Sequence, residues 1–315
     1  MSVIVFGSYA KALVMTTQRI PLVGETVLGR DFRQTFGGKG SDMAVQAARL
    51  GSMVEFIGVV GKDAFGDEFL DLMEVEGVGV SGVRQTDKLA TGAGFIIKDD
   101  PGHNIIVVDM GANSLFVEQD VDNNRELLEG AKVALAQLEI PLPTALWGLK
   151  KAKEAGLTTI LNPAPAQNLT GLDLSCIDIL TPNETEARVA LGLDPNANIS
   201  NEEVANRLMR TGCGSVVMTL GEKGVVGFTS QDSFEIAPFK IDPVDSNGAG
   251  DSFNASLAVG LAEGKGLKEA AEFGSVVAAL CCTRWETVPS YHTRDEVNAI
   301  LQAQTRQSQI AKNSK

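Results

Sequence analysis

The chain has 315 residues, 44% of them hydrophobic and 21% charged, and its 27 basic against 40 acidic side chains give a net charge of −13. That length builds one large α/β unit or two smaller ones, and the acidic balance excludes a nucleic-acid surface, which needs a basic face. The four cysteines lack metal-ligand spacing, and no leader-like or membrane-length apolar run is present, so reduced thiols, a cytoplasmic location and no membrane partner are expected.

In chain order, Val3–Gly7 is an apolar strand ending in glycine. The segment Leu22–Phe36 mixes β-formers with turn residues, with a strand predicted at Glu25–Leu28, and Gly37-Gly38-Lys39-Gly40 closes it. Ser41–Leu50 is predicted helical, followed by strand Val54–Val60 and helix Phe65–Val75. The texture then changes. Gly94–Ile97 and Ile105–Val108 are short apolar strands around a polar, glycine-containing turn, which predicts a hairpin. Alternation resumes with strand Val133–Leu138, helix Pro143–Ala155, strands Thr158–Leu161 and Ile177–Leu180, a helix from Asn183, helix Glu202–Arg210 and strand Ser215–Leu220. A hairpin at Val225–Phe228 and Ser233–Ile236 precedes helices Gly250–Glu263, Leu267–Cys282 and Arg294–Gln302. This alternation predicts an α/β fold with a parallel sheet between helices, and the two odd segments are placed to form a small separate sheet. Without a linker or repeat, residues 1–303 read as one domain, and 304–315 as a flexible polar tail.

The most informative motif is Asp245-Ser246-Asn247-Gly248-Ala249-Gly250-Asp251, running into Ser252–Leu257. Its small residues give a tight turn whose N–H groups converge on an anion, and a helix N-terminus adds partial positive charge there. Asp251 sits where turn becomes helix. A carboxylate beside an anion hole suits phosphoryl transfer, by accepting the proton of a substrate hydroxyl; a plain helix cap is the alternative. In Gly37–Asp42 the glycines permit close backbone approach and Lys39 reaches hydroxyls or phosphate, while Asp42 either binds a polyol or caps the helix. Glu139 ends a buried-looking strand, where ligands of open α/β sheets gather, or is a solvated strand-end acid. Asn162-Pro163-Ala164-Pro165-Ala166 ends another strand in a rigid turn. Asn183 and Glu186 share a helix face and offer oxygens to water-bridged Mg²⁺, or merely complement the helix dipole. Thr219-Leu220-Gly221-Glu222-Lys223-Gly224 is a strand end and glycine turn able to line a nucleotide or open a hairpin. No Walker loop or protein-kinase motif set is present.

Taken in order, Gly-Gly-Lys-Gly, Asn-Pro-Ala-Pro-Ala, Thr-Pro-Asn-Glu-Thr-Glu, Thr-Leu-Gly-x-x-Gly and Asp-x-x-Gly-Ala-Gly-Asp make the chain resemble the ribokinase group of carbohydrate kinases, the PfkB family, from Ile4 to about Leu301. The resemblance implies a doubly wound, mostly parallel sheet flanked by helices, with a small β-sheet lid formed from about 10–36 and 92–110. It also implies ATP-dependent phosphorylation of a sugar-like hydroxyl. It assigns Asp251 as catalytic base, Asn247, Gly248, Ala249 and Gly250 as the anion hole, and Asn183 and Glu186 to Mg²⁺ and phosphate. Thr219, Gly221, Gly224 and Ser275 would line the nucleotide, Gly38, Lys39, Asp42 and Glu139 would face the sugar, and Asp245 would lie near a K⁺ or other monovalent cation. Where relatives carry Asn-x-Asp after the first strand this chain has Ala10-Lys11-Ala12, and where they carry Asn it has Asp42. These departures point away from ribose. A nucleoside kinase of the same fold, or a catalytically idle sugar- or nucleotide-binding regulator, is the alternative function. The apolar hairpin predicts a homodimer through the lid.

Overall fold

The run Val3-Ile4-Val5-Phe6 is buried on both faces, as a strand inside a parallel sheet must be. Val3 and Val5 join one core cluster, and Ile4 and Phe6 the other. The computed structural model describes residues 2–101 and 103–313, with side chains through 303. Its strands are β1 Ser2–Phe6, β2 Ala10–Thr17, β3 Arg30–Thr35, β4 Met53–Gly61, β5 Val78–Thr86, β6 Gly92–Asp99, β7 Asn104–Asp109, β8 Val133–Ala136, β9 Thr158–Leu161, β10 Ile179–Leu180, β11 Ser215–Thr219, β12 Val225–Thr229 and β13 Ser233–Ile236. The helices are α1 Lys39–Arg49, α2 Ala64–Val75, α3 Glu118–Asp122, α4 Leu142–Glu154, α5 Glu184–Ala190, α6 Asn201–Met209, α7 Ala249–Ala262, α8 Leu267–Cys281 and α9 Arg294–Asn313.

The main sheet has the order β13-β12-β11-β10-β9-β8-β1-β4-β5. It is parallel from β11 to β5, and β12 and β13 add an antiparallel edge. One core cluster holds residues of α1, α2, α7 and α8, and the other holds residues of α4, α5 and α6. The lid is a second sheet of order β3-β2-β6-β7, whose β6–β7 pair is the expected antiparallel hairpin.

Two expectations need correction. Glu25–Leu28 is not a strand. The Glu25 carboxylate accepts from Leu22 N at 2.8 Å and from Arg19 Nη1 at 2.6 Å, which ties the segment into a loop, and the strand forms later as β3. The strand β5 forms where none was predicted, whereas β2 falls within the segment 10–36 that was given to the lid. The helix α9 runs through Asn313, into the segment from Gln304 that was expected as a flexible tail. Residues 314–315 of that tail lie outside the described residues.

Candidate active site

From β1 the chain builds outward through β4 and β5, then returns to lay β8 on the other side of β1. The strand order therefore reverses between β1 and β8, the crevice where open α/β sheets take ligands. Side chains just beyond these two strands meet across it. Ser8 Oγ donates to Glu139 Oε2 at 2.7 Å, and Gln137 Nε2 donates to Ser8 Oγ at 2.8 Å. Glu139 Oε2 also accepts from Lys39 N at 2.8 Å, so the strand-end acid holds the first turn of α1 at the crevice. Gly38 precedes that helix with φ of 94°, and a Cβ there would lie 2.7 Å from Ala10 N. Only glycine meets both demands. Asp42, one turn on, does not cap α1. Its carboxylate is 3% exposed, and Oδ1 finds no hydrogen-bond partner.

The second half of the site is the N-terminus of α7. Gly248 is its N-cap in the left-handed region, φ 78°, and a Cβ there would lie 2.7 Å from the buried Tyr291 Oη. Asp245 braces the approach: Oδ1 accepts from Asn247 N at 3.1 Å and Oδ2 from Glu286 N at 3.1 Å. Behind the turn, Asn254 Nδ2 donates to Gly250 O at 2.8 Å, and Thr181 Oγ1 donates to Asn254 Oδ1 at 2.5 Å, linking the helix to the end of β10. Asp251 lies in the first turn, where no side chain caps the helix, so the cap reading falls away. It is 7% exposed, with Lys39 Nζ 4.0 Å from Oδ1. Burial pushes the Asp251 carboxyl up to about 6; Lys39 opposes that shift, and Glu139 and Glu186 add to it. Burial, then Asp251 and Glu139, hold Asp42 well above the carboxylate range. Asp251 in turn raises Lys39, keeping it cationic.

A cavity of about 230 Å³ lies between these helix ends and the lid, and it gathers Gly38, Lys39, Asp42, Glu139, Asn247, Gly248 and Asp251. Gly250 sits beside it with open space where a Cβ would project. The residues assigned to nucleotide and metal stand outside that cavity. Asn183 and Glu186 form a reciprocal capping box on α5, Asn183 N donating to Glu186 Oε2 and Glu186 N to Asn183 Oδ1, each at 2.8 Å. Burial raises the Glu186 carboxyl. Thr219 bridges to Asn183, bringing the ends of β10 and β11 together. Gly221 is open, whereas Gly224 is packed against the backbone around Ile236, which the hairpin alone explains. Ser275 is buried in α8. Ser8, Gln137, Asn254 and Tyr291 escaped the sequence reading. Only Asn254 carried a local signal, its spacing of four from Gly250 on one helix.

Known proteins share this architecture along its length. The model of the pfkB family carbohydrate kinases matches residues 1–294. The ribokinase of Haemophilus influenzae is 35% identical over 298 residues, covering 95% of this chain and 97% of its own. Among solved structures, the Thermotoga maritima ribokinase superposes with a TM-score of 0.85 at 31% identity, over 96% of this chain and 98% of that one. The Arabidopsis thaliana ribokinase, solved with ribose and ATP, gives 0.86 at 29% identity over 95% and 98%. A match over nearly the full length, on a fold that brings Gly38, Lys39, Asp42, Glu139 and Asp251 into one crevice, makes this chain a member of the pfkB family of carbohydrate kinases.

Proposed function

We propose that this ATP-dependent sugar kinase transfers the γ-phosphoryl group to a hydroxyl of a sugar or sugar-like polyol held beneath the lid, with Asp251 as general base. The observation that carries this reading is the buried Asp251 at the first turn of α7, 4.0 Å from Lys39 and inside the lidded cavity. Asp251 takes the proton of the acceptor hydroxyl as its oxygen attacks the γ-phosphorus. The bond to the β–γ bridging oxygen breaks, and ADP leaves with that electron pair. The amides of Gly248 and Gly250, backed by the α7 dipole, hold the charge on the phosphoryl oxygens, while the neighbouring Asn247 and Ala249 amides brace the turn through Asp245 Oδ1 and Ser246 O. Lys39 adds a cation, and Glu139 fixes both Ser8 and the Lys39 backbone. ATP itself would lie along the ends of β10 and β11, past Asn183, Thr219, Gly221 and Gly224, with Ser275 toward the base.

Glu186 and Asn183 fit Mg²⁺ held through water. The carboxylate spends Oε2 on the Asn183 amide, and one acid with one amide is the sparse donor set of an ion that keeps its waters. When bound, Mg²⁺ would neutralise phosphate charge. Asp245 would anchor a monovalent cation such as K⁺, since each of its oxygens accepts one backbone N–H and keeps a further lone pair. The free thiols support a reducing, cytoplasmic setting. No helix among the described residues is long and apolar enough to cross a membrane. ADP release from purified protein with ATP and a panel of sugars, sugar phosphates and nucleosides tests the reading. Tight ATP binding with no acceptor-dependent ADP would leave an idle binder instead.

A further inference from the structure

The lid is fastened to the loop after α8 by three contacts. Arg33 Nη1 of β3 lies 3.0 Å from Glu286 Oε1. Thr287 Oγ1 donates to Phe36 O, just past the end of β3, at 3.1 Å. Lys98 Nζ of β6 stands 5.9 Å from the centre of the Trp285 ring, within cation–π range.

Glu286 is the unusual member of this loop. Among the described residues only Asp31 and Glu286 place a side chain in the left-handed region, with φ of 54° and 71°. Aspartate is tolerated there because its short polar side chain bonds locally, whereas glutamate gains no such relief. A conformation of that kind persists only where its surroundings hold it. Two groups hold this one. Arg33 draws the side chain toward the lid, and Asp245 Oδ2 accepts the Glu286 N–H at 3.1 Å. The other oxygen of Asp245 accepts from Asn247 N, also at 3.1 Å, in the turn that leads to Gly248 and Gly250. One carboxylate therefore ties together the phosphate-binding turn and the residue that grips the lid.

Stability does not account for a glutamate here. Arg33 is 48% exposed, and an ion pair so open to water contributes little to folding. Glycine at 286 would take the same backbone without strain.

Resting on the kinase reading above, we propose that Glu286 is a positioning residue that passes the ordering of the anion-hole turn to β3, so that nucleotide phosphate in the turn fixes the lid over the acceptor. The link runs from the Asn247–Gly248 turn through Asp245 and Glu286 to Arg33. By reciprocity, whatever tightens β3 tightens nucleotide binding by the same factor.

The test is amide hydrogen exchange in β3 of the native protein, with and without saturating Mg²⁺ and the non-hydrolysable ATP analogue AMP-PNP. Exchange in β3 should slow about tenfold with the nucleotide. Glu286→Gly and Arg33→Met, each saturated with nucleotide, should lose that protection. Glu286→Gly should melt no lower than wild type, because it exchanges a weak ion pair for an unstrained backbone. The double variant should behave like either single one, since both cut the same link. Protection that survives in both single variants would overturn the proposal, as would a wild-type protein that binds AMP-PNP with no change in β3; the kinase reading would stand in either case. Lost protection in Glu286→Gly together with a melting point several degrees lower, and full protection in Arg33→Met, would reduce Glu286 to a prop for its own loop. A wild-type protein that does not bind AMP-PNP would sink both readings.

Discussion

Asp251 combines two properties that a surface carboxylate lacks: burial and one opposing cation. A carboxyl at about 6 is a stronger base than an ordinary aspartate yet still ionised at neutral pH, which is the compromise that general-base catalysis favours. Asp251→Asn keeps the size of the side chain and removes the proton acceptor, so kcat should fall by about 10²–10⁴ while ATP binding is retained. A variant within threefold of wild-type kcat in the ADP-release assay would end the mechanism. The same shift sets a pH dependence. The base must be ionised, so kcat/KM should decline as pH falls through about 6, with the apparent value belonging jointly to Asp251 and the groups facing it: Lys39, Glu139, Glu186 and Asp42. For stability the sign is opposite. A raised carboxyl is penalised when it ionises in the folded state, so its contribution is full below the ordinary 3.8 and is lost as pH rises through about 6. A pH–rate profile flat from pH 5 to 8 would show that this carboxylate takes no proton in the rate-limiting step.

Among the elements, α5 tests whether a capping box also serves a metal. Glu186 already satisfies a backbone amide, so its effect on the helix and its effect on Mg²⁺ must be separated. Glu186→Gln keeps a side-chain oxygen for the Asn183 amide and discards the charge. The melting temperature should stay within a few degrees, whereas the Mg²⁺ concentration for half-maximal turnover should rise about tenfold. A loss of melting temperature with unchanged Mg²⁺ dependence would reduce Glu186 to a cap. The strands and helices differ in how far the sequence exposed them. Periodicity marked the long apolar strands and most helices to within a residue or two, because a buried strand or an amphipathic helix carries its signal locally. β2 and β5 mix lysine, arginine, serine and glycine with apolar residues, and they became strands through pairing with distant neighbours. The site divides in the same way. Gly38, Lys39, Asp42 and Asp251 stood out through glycine-rich spacing. Ser8 and Gln137 matter because of a strand-order reversal that no local pattern reveals, and Tyr291 because it packs under Gly248.

At the scale of the whole molecule the question is what covers the other side of the lid. The strands that turn Ala12, Ile96 and Val108 toward the cavity must turn their alternate residues outward. Phe95 is 58% and Val107 64% exposed, and they are cross-strand partners; Met15 and Ile105 stand exposed on neighbouring strands. An apolar face of that kind on a thin sheet marks an interaction surface, and a second copy of the chain offers the same face for self-complementary packing. We therefore expect a homodimer formed lid to lid. Because the cavity-lining face and the interface are opposite faces of the same strands, dimerisation should also stiffen the cavity. Phe95→Lys places a charge in the centre of the outer face without touching a cavity-lining residue. It should give monomer by light scattering at micromolar concentration and raise the acceptor KM several-fold, with the helix content seen by circular dichroism unchanged. A wild-type protein that is monomeric under the same conditions, or a Phe95→Lys variant that keeps the wild-type mass, would mean that the outer lid face is not the interface and that the lid closes over its substrate unaided.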